Sequence, residues 1–453
     1  MNLSRALRFA PKSAQGNLNY KPFEVVSFVG AGGKTTAIFQ LARQIVNHDS
    51  VIVTSTTHLG VWQIPLADQH IIATNLNGLN NMPLHGVILV TGEIEDDRTK
   101  PVNETVLSRL REDAKSHNFP LLIEADGSHQ KPLKAPAAHE PPIPEFTDTV
   151  IVVAGLSALG KPLTDEYVHR AEIFSQLSGL QPNQTVTPEA ITRMLAHPQG
   201  GLKNILSHAR RIAFLNQAET PELQSIGGNM VRELLGHFDS VIVGRLKDSE
   251  VQTFEHTAGI ILAAGESTRF GAPKQLLDWK GKPFVRQVAE TALQAGLWPV
   301  VVVTGFHAAD VESALKDLPM EIVNNLQYQQ GQSTSIHAGI NTLNLSALSG
   351  SIGAAIFLLA DQPQIPVDVI RALVESHGQN MQAILAPLVL EERRANPVLF
   401  DRDTFPDLMQ LTGDVGGRAI FDKHRVEYLP WHDDILLLDV DKPEDYQRLK
   451  ELE

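Results

Sequence analysis

The sequence predicts an α/β protein with two parallel-sheet domains, and three observations carry that reading. Short runs rich in Val, Ile and Leu alternate with longer stretches of helical periodicity, the pattern of sheets covered by helices on both faces. Both halves open with an apolar strand, a glycine-rich turn and a helix, which aims backbone N–H groups and a helix N-terminus at an anion. At roughly 100 to 200 residues per domain, the length allows two or three domains.

In the first half the candidate buried strands are Val25 to Val29, Val51 to Thr54, Val87 to Val90, Leu121 to Glu124, Val150 to Val153, Ile212 to Leu215 and Val241 to Val243. The second series is Gly259 to Leu262, Val300 to Val303, Glu321 to Val323, Ala355 to Leu359 and Ala383 to Ala386. Between them Lys247 to Thr257, KDSEVQTFEHT, is polar with little periodicity and suits a linker. Residues 1–255 are therefore expected to form a nucleotide-binding domain with its linker, and residues 256–453 a second domain.

Composition removes several function classes. With 43% apolar and 20% charged residues the chain reads as globular. A net charge of −14 argues against binding nucleic-acid backbones. Without cysteine there are no disulfides, thiolate metal sites, iron–sulfur ligands or cysteine nucleophiles. The longest apolar runs, such as Ala354 to Ala360, fall far short of the roughly 20 residues that span a bilayer. No apolar signal region follows Met1, so a cytoplasmic protein is expected. The 17 histidines are scattered and read by default as surface or core residues.

The first loop is Gly30-Ala31-Gly32-Gly33-Lys34-Thr35-Thr36, followed by a helix with Ile38, Leu41, Ala42 and Ile45 apolar. Gly30, Gly32 and Gly33 allow a tight turn close to phosphate oxygens. Lys34 would neutralise the β and γ phosphates, Thr35 offers a hydroxyl to Mg²⁺, and Thr36 completes the helix start. The standard loop has glycine six residues before the lysine, where this chain has Phe28. The shorter G-x-x-G-K-T-T form resembles the loop of Mur-ligase-type ATPases. A turn that only tightens strand–helix packing is the plainer alternative. Glu124 and Asp126 end an apolar strand where phosphate-bound Mg²⁺ would sit, or cap the next turn. Thr54-Ser55-Thr56-Thr57-His58 adds hydroxyls at the same edge.

GAGGKTT, TSTTH, EADGS with KPLKAPAAHEP, and GLSALGKPL with Val168-His169-Arg170 are similar to the selenium-dependent molybdenum hydroxylase accessory family, the YqeC-like proteins. The resemblance implies a P-loop-like three-layer α/β domain that binds ATP or GTP and assists a molybdenum hydroxylase client. The family's N-K-x-D-like stretch is Asn216-Gln217-Ala218-Glu219 here. His169 and Arg170 either touch a ligand or form a packing pair.

In the second half, Ile260-Ile261-Leu262 leads into Ala263-Ala264-Gly265-Glu266-Ser267-Thr268-Arg269-Phe270-Gly271-Ala272-Pro273-Lys274. This pattern fixes two cations on one phosphate-wrapping loop. Backbone near Gly265 can hold a triphosphate while Arg269 and Lys274 neutralise charge moving toward leaving pyrophosphate. A buried run ends at Asp361-Gln362-Pro363, where a carboxylate could hold Mg²⁺ or act as a turn residue. Leu436-Leu437-Leu438 reads as a strand delivering Asp439 and Asp441, which would share a strand face and could reach one metal. Asp441 could equally cap the last helix.

LAAGESTRFGAPKQLL, GQSTSIHAGI, LLADQP, ANPVLF, LTGDVGGRAI and DVDKPEDY resemble the molybdenum cofactor cytidylyltransferases, the MocA-like branch of the MobA-like nucleotidyltransferases. The resemblance implies a Rossmann-like fold of the nucleotide-diphospho-sugar transferase type. It further implies transfer of CMP from CTP to molybdenum-bound molybdopterin, giving the cytosine dinucleotide cofactor and pyrophosphate. Leu262, Ala263, Ala264 and Gly265, with Arg269 and Lys274, would bind CTP, and Asp361 would hold Mg²⁺. Gln332, Ser333 and Ser335 would lie near nucleotide or pterin. Asn396-Pro397 and the Gly413-Asp414-Val415-Gly416-Gly417-Arg418 loop would meet the pterin. Relatives have glycine where this chain has Ala395.

A phosphomonoester is already anionic near neutral pH, so the reaction needs alignment and charge neutralisation rather than a catalytic triad. The favoured reading is a bifunctional enzyme. Its rivals are guanylyl or sugar-1-phosphate nucleotidyl transfer, and a non-catalytic, nucleotide-switched chaperone.

Overall fold

Strand β1 (Val25–Gly30) is apolar at consecutive positions because both its faces are covered: Val25 and Val29 enter one core, Val26 and Phe28 the other. The structure, a computed structural model, describes residues 1–9, 24–46, 50–247, 250–266, 270–346, 350–390 and 393–452. It divides into two compact units, Met1–Phe254 and Glu255–Glu453.

The first unit continues with β2 (Val51–Ser55), β3 (Gln69–Ile72), β4 (Val87–Thr91), β5 (Leu121–Glu124), β6 (Thr149–Gly155), β7 (Arg210–Asn216), β8 (Ser240–Arg245) and β9 (Glu250–Phe254). These form one nine-stranded sheet in the order β9-β8-β7-β6-β1-β5-β2-β4-β3, with all pairs parallel except β8–β9. The helices are α1 (Lys34–Ile45), α2 (Glu104–His117), α3 (Ala171–Ser178), α4 (Pro188–Ala196) and α5 (Pro221–Leu234). Because β1 leads on to β2 at one side of the sheet and neighbouring β6 to β7 at the other, the carboxyl edge at β1 and β6 is a topological switch point, where open α/β sheets bind ligands.

The expected linker is largely strand. Val251 and Thr253 are buried while Glu250 is exposed, so this stretch closes the sheet edge as β9. Two inward positions in five, one of them threonine, leave almost no period to read in a polar segment. His256 and Thr257 already belong to the next strand.

In the second unit β10 (His256–Ala263), β11 (Val300–Thr304), β12 (Glu321–Asn324), β13 (Ile352–Leu359), β14 (Ile384–Val389), β15 (Arg393–Arg394), β16 (Val398–Asp401) and β17 (Val426–Trp431) build an eight-stranded sheet. Its order is β12-β11-β10-β13-β16-β14-β15, with β17 also paired to β14. The sheet is mixed rather than wholly parallel, since β16 runs antiparallel to both β13 and β14. Its helices are α6 (Phe284–Gln294), α7 (Ala308–Leu315), α8 (Gln332–Leu345), α9 (Val367–Asn380) and α10 (Pro443–Lys450).

Leu436 to Leu438 is not the expected strand. Asp433 caps a single 3-10 turn over Asp434–Leu437, and that turn buries Leu436. Asp439 and Asp441 therefore do not share a strand face. Asp441 is not the cap of α10 either: Lys442 holds that position, and Asp445 accepts the backbone N–H groups of both Asp441 and Lys442.

Candidate functional site

The turn after β1 and the first turn of α1 open on a cavity of about 550 Å³. Gly32, Gly33, Lys34, Thr35 and Thr36 line one side, with Thr57, His58, Glu124 and the Gly127–Lys131 segment adjoining. Three backbone donors of the turn serve the protein itself. Gly30 N–H goes to Asp126 Oδ2 (3.1 Å), Ala31 N–H to Val153 O (2.8 Å) and Gly32 N–H to Lys131 O (3.1 Å). Gly30 does not line the cavity. What remains for an anion is the start of α1, whose first N–H groups have no intrahelical acceptor. Phe28 is fully buried in the core, so the glycine turn begins two residues later than in the standard loop.

Lys34 Nζ donates to Gly30 O (2.6 Å) and lies 3.1 Å from Asp126 Oδ1. Asp126 Oδ2 is 2.9 Å from Lys134 Nζ, which is 2.8 Å from Glu140 Oε2, and Arg170 grips Glu140 through both terminal nitrogens (2.7 and 3.0 Å). Five side chains of alternating sign thus run from the loop lysine to Arg170. Burial alone would raise the Glu140 carboxyl, but Arg170 and Lys134 outweigh it and bring it down to about 2. Burial pushes the Glu124 carboxyl up despite Lys34 and the Thr35 hydroxyl, which donates to Glu124 Oε2 at 2.7 Å. Asp126 is enclosed between two lysines and does not line the cavity.

His169 also lines this cavity, its ring centroid 4.6 Å from that of His129. Burial, then the charges of Arg170, His129 and Lys134, lower the imidazole to about 4. Between pH 6.5 and 4 the unfolded chain takes up a proton that the folded one refuses, so His169 costs stability as pH falls through that window. We expect His169→Asn to lose about 1 kcal/mol less than the parent between pH 7 and 4.5, after allowing for solvent screening, as read by denaturant unfolding.

In the second unit the turns after β10 and β13 share a cavity of about 330 Å³. Leu262, Ala263, Ala264, Gly265 and Asp361 line it, together with Lys274, Gln332, Ser335 and Asp414. Lys274 Nζ lies 3.2 Å from Asp361 Oδ2 and 2.9 Å from Asp441 Oδ1. Burial works against the charged ammonium, but the two carboxylates outweigh it and raise its pKa. Burial raises Asp439, helped by the charges of Asp361 and Asp441, while Gln362 donates to it. Two carboxylates therefore flank Lys274, and a third, Asp439, feels the charge of both. Arg269 lies outside the described residues.

Residues 26–172 match the family model described as YqeC protein, and residues 259–428 match the MobA-like NTP transferase domain. The uncharacterized protein YqeC of Escherichia coli K12 is 31% identical over 220 residues, 47% of this chain and 83% of that protein. Nicotine blue oxidoreductase of Paenarthrobacter nicotinovorans is 30% identical over 186 residues, 39% of this chain and 85% of that one. The chain belongs to both families, YqeC in its first unit and MobA-like NTP transferase in its second. The solved structure of Rv0371c from Mycobacterium tuberculosis H37Rv is 26% identical, covering 44% of this chain and 98% of that one with a TM-score of 0.39.

In the MobA-like unit, Gln332, Ser335 and Asp414 reach the cavity, whereas Ser333, Asn396 and Pro397 do not line it. Ser333 is buried, and its hydroxyl donates to Gly413 O (2.8 Å); Asn396 Oδ1 accepts from Arg418 (3.2 Å). These residues hold the 413–418 loop and its neighbour in place. Gly331 sits at φ +110°, and a Cβ there would strike the backbone of Gly413 and Asp414. Gly331→Ala should therefore destabilise the unit by more than about 1 kcal/mol and raise KM by shifting Asp414, measured by unfolding and by substrate titration.

In the YqeC unit the sequence missed Lys134 and Glu140. The signal was present in the KPLKAPAAHEP stretch, but nothing in the spacing says that a lysine eight residues after Asp126 folds back onto it. Asn216 anchors the glycine turn instead of facing the cavity, donating to Gly32 O at 2.7 Å and accepting from Leu246 N–H at 3.3 Å. Among the described residues no group of three or more His, Cys, Asp or Glu is placed to hold a metal ion by itself. Among the described residues no helix is long and apolar enough to cross a membrane.

Proposed function

We propose that the MobA-like unit transfers CMP from CTP to molybdenum-bound molybdopterin, forming the cytosine dinucleotide cofactor and pyrophosphate. The observation that carries this reading is the convergence of Lys274 and Asp361 on the cavity lined by the turn of Leu262 to Gly265, with Asp441 held 2.9 Å from the same lysine. A terminal oxygen of the molybdopterin phosphate attacks the α-phosphorus of CTP. The bond from that phosphorus to the bridging oxygen breaks, and pyrophosphate departs with the electron pair. Lys274 holds its proton throughout and neutralises the developing charge. The start of α8, at Gln332, and the backbone of Ala263 to Gly265 orient the nucleotide.

The carboxylate cluster fits Mg²⁺. That ion is usually bound by one or two carboxylates plus substrate phosphates rather than a closed protein cage, and three crowded acids gain from a divalent cation. Asp361, with Asp441 or Asp439, would hold it, and bound Mg²⁺ would polarise the α-phosphate. In the YqeC unit we place ATP or GTP at the start of α1, with Thr35 and Glu124 toward a second Mg²⁺, in support of a molybdenum hydroxylase client.

The test is pyrophosphate release by the full chain with Mg²⁺, molybdenum-loaded molybdopterin and each NTP in turn. Turnover with CTP is expected. Turnover only with GTP, or only with a sugar 1-phosphate as acceptor, overturns the assignment. Absence of transfer with every pair leaves the nucleotide-switched chaperone as the better reading.

A further inference from the structure

The cavity of the YqeC unit has a second wall that the phosphate loop does not use. His129, Lys131, His169 and Arg170 line it together with the residues of the α1 start. Lys131 Nζ donates only to a backbone carbonyl, Glu166 O (3.0 Å), and has no carboxylate partner among the described residues. Arg170 spends three N–H bonds, two on Glu140 and one on Ala135 O (3.1 Å), which leaves two of a guanidinium's five donors. The charge chain from Lys34 through Asp126, Lys134 and Glu140 fixes that guanidinium before anything binds. His129, Gln130 and Arg170 all hold left-handed backbone (φ +49°, +59° and +65°), a strain that non-glycine residues keep where surrounding structure enforces it.

We propose that this wall is a second anion subsite, which takes the phosphate group of a small molecule alongside a triphosphate at the start of α1. Lys131 supplies an ammonium without a carboxylate partner, Arg170 a pre-oriented pair of donors, and the two neighbouring imidazoles, tilted 37° to each other, one N–H each. Burial first, and then the charges of Arg170, His129 and Lys134, lower the His169 imidazole on this wall to about 4. A phosphate group suits this wall better than an apolar ligand, which would desolvate the Lys131 ammonium and the remaining Arg170 donors with no acceptor in return. The inference shares with the functional proposal only the reading of α1 as the triphosphate end.

Radiolabelled inorganic phosphate is the probe, measured by equilibrium dialysis on the full chain saturated with CTP and a non-hydrolysable ATP or GTP analogue. One further phosphate per chain is expected. Lys131→Ala should weaken it at least tenfold without changing nucleotide affinity, and Arg170→Lys should weaken it similarly. Lys131 is the decisive variant because the only described partner of its side chain is a backbone carbonyl and its main-chain bonds survive the substitution, so folding is spared. Absence of the extra phosphate, or its retention at parental affinity in Lys131→Ala, overturns the subsite. If nucleotide fails to bind the YqeC unit at all, phosphate dialysis on the full chain without nucleotide still reports the second wall. Binding there that Lys131→Ala abolishes supports the subsite while removing the nucleotide reading.

Discussion

Lys274→Ala is expected to lower kcat for nucleotidyl transfer about 100- to 1000-fold, the range for removing one pre-organised group that stabilises developing charge. Lys274 is the described cation at the turn of Leu262 to Gly265, and it stands 3.2 Å from Asp361 and 2.9 Å from Asp441. Its removal takes away charge from the departing pyrophosphate and leaves the acids without their ammonium. The loss should appear mainly in kcat, because the interaction strengthens as charge moves onto the leaving group. Since the carboxylates raise its pKa, Lys274 stays protonated across neutral pH, and an acid limb in the rate profile cannot come from it. Lys274→Arg should recover less than a tenth of the parental rate, because a planar fork does not replace a compact ammonium between two acids. Pyrophosphate release at saturating substrates measures both variants. A rate within threefold of the parent for Lys274→Ala would remove this residue from the chemistry.

The second large effect is on stability. Glu140→Ala is expected to cost the YqeC unit about 3 kcal/mol, because it leaves Lys134, 1% exposed at its side chain, with only Asp126 and the Gly127 carbonyl, and leaves Arg170 without its carboxylate. Glu140→Gln should cost less, since it keeps the shape and one acceptor. The acid dependence has a definite sign. The Glu140 carboxyl lies near 2 in the folded protein against 4.5 ordinarily, so its stabilisation is complete above pH 4.5 and is lost as pH falls toward 2. The gap between parent and Glu140→Ala should therefore close over that window. Denaturant unfolding at pH 7, 4 and 3 reads it directly, and a pH-independent gap would mean that packing, not charge, holds the site together.

These two residues mark where sequence is readable and where it is not. Lys274 sits in a dense local pattern, and its acid partner Asp361 ends a strand beside β10, so elementary strand-edge logic brings the two together. The twelve strands of the two apolar series are present, since a strand covered on both faces must be apolar along its length, whereas the expected strand at Leu436 to Leu438 is a 3-10 turn. Strand β9 was invisible because an edge needs only one covered face. Glu140 was invisible for a different reason. It comes from an irregular stretch rich in proline, and its partners Lys134 and Arg170 are close in space by virtue of loop paths that no periodicity encodes. The same holds for Asp441, reached through a capped turn and not along a strand.

The glycines at positions 30 and 32 face the backbone of β6 and Pro132 so closely that no side chain could replace their hydrogens. Their retention across evolution would thus be enforced by folding even in a descendant that had lost its cargo. Comparative genomics that scores such turns by glycine content would count dead copies as living ones. The informative letter is Thr35, whose hydroxyl a silent copy could shed at little cost, whereas Lys34 is tied into the buried charge chain through Asp126.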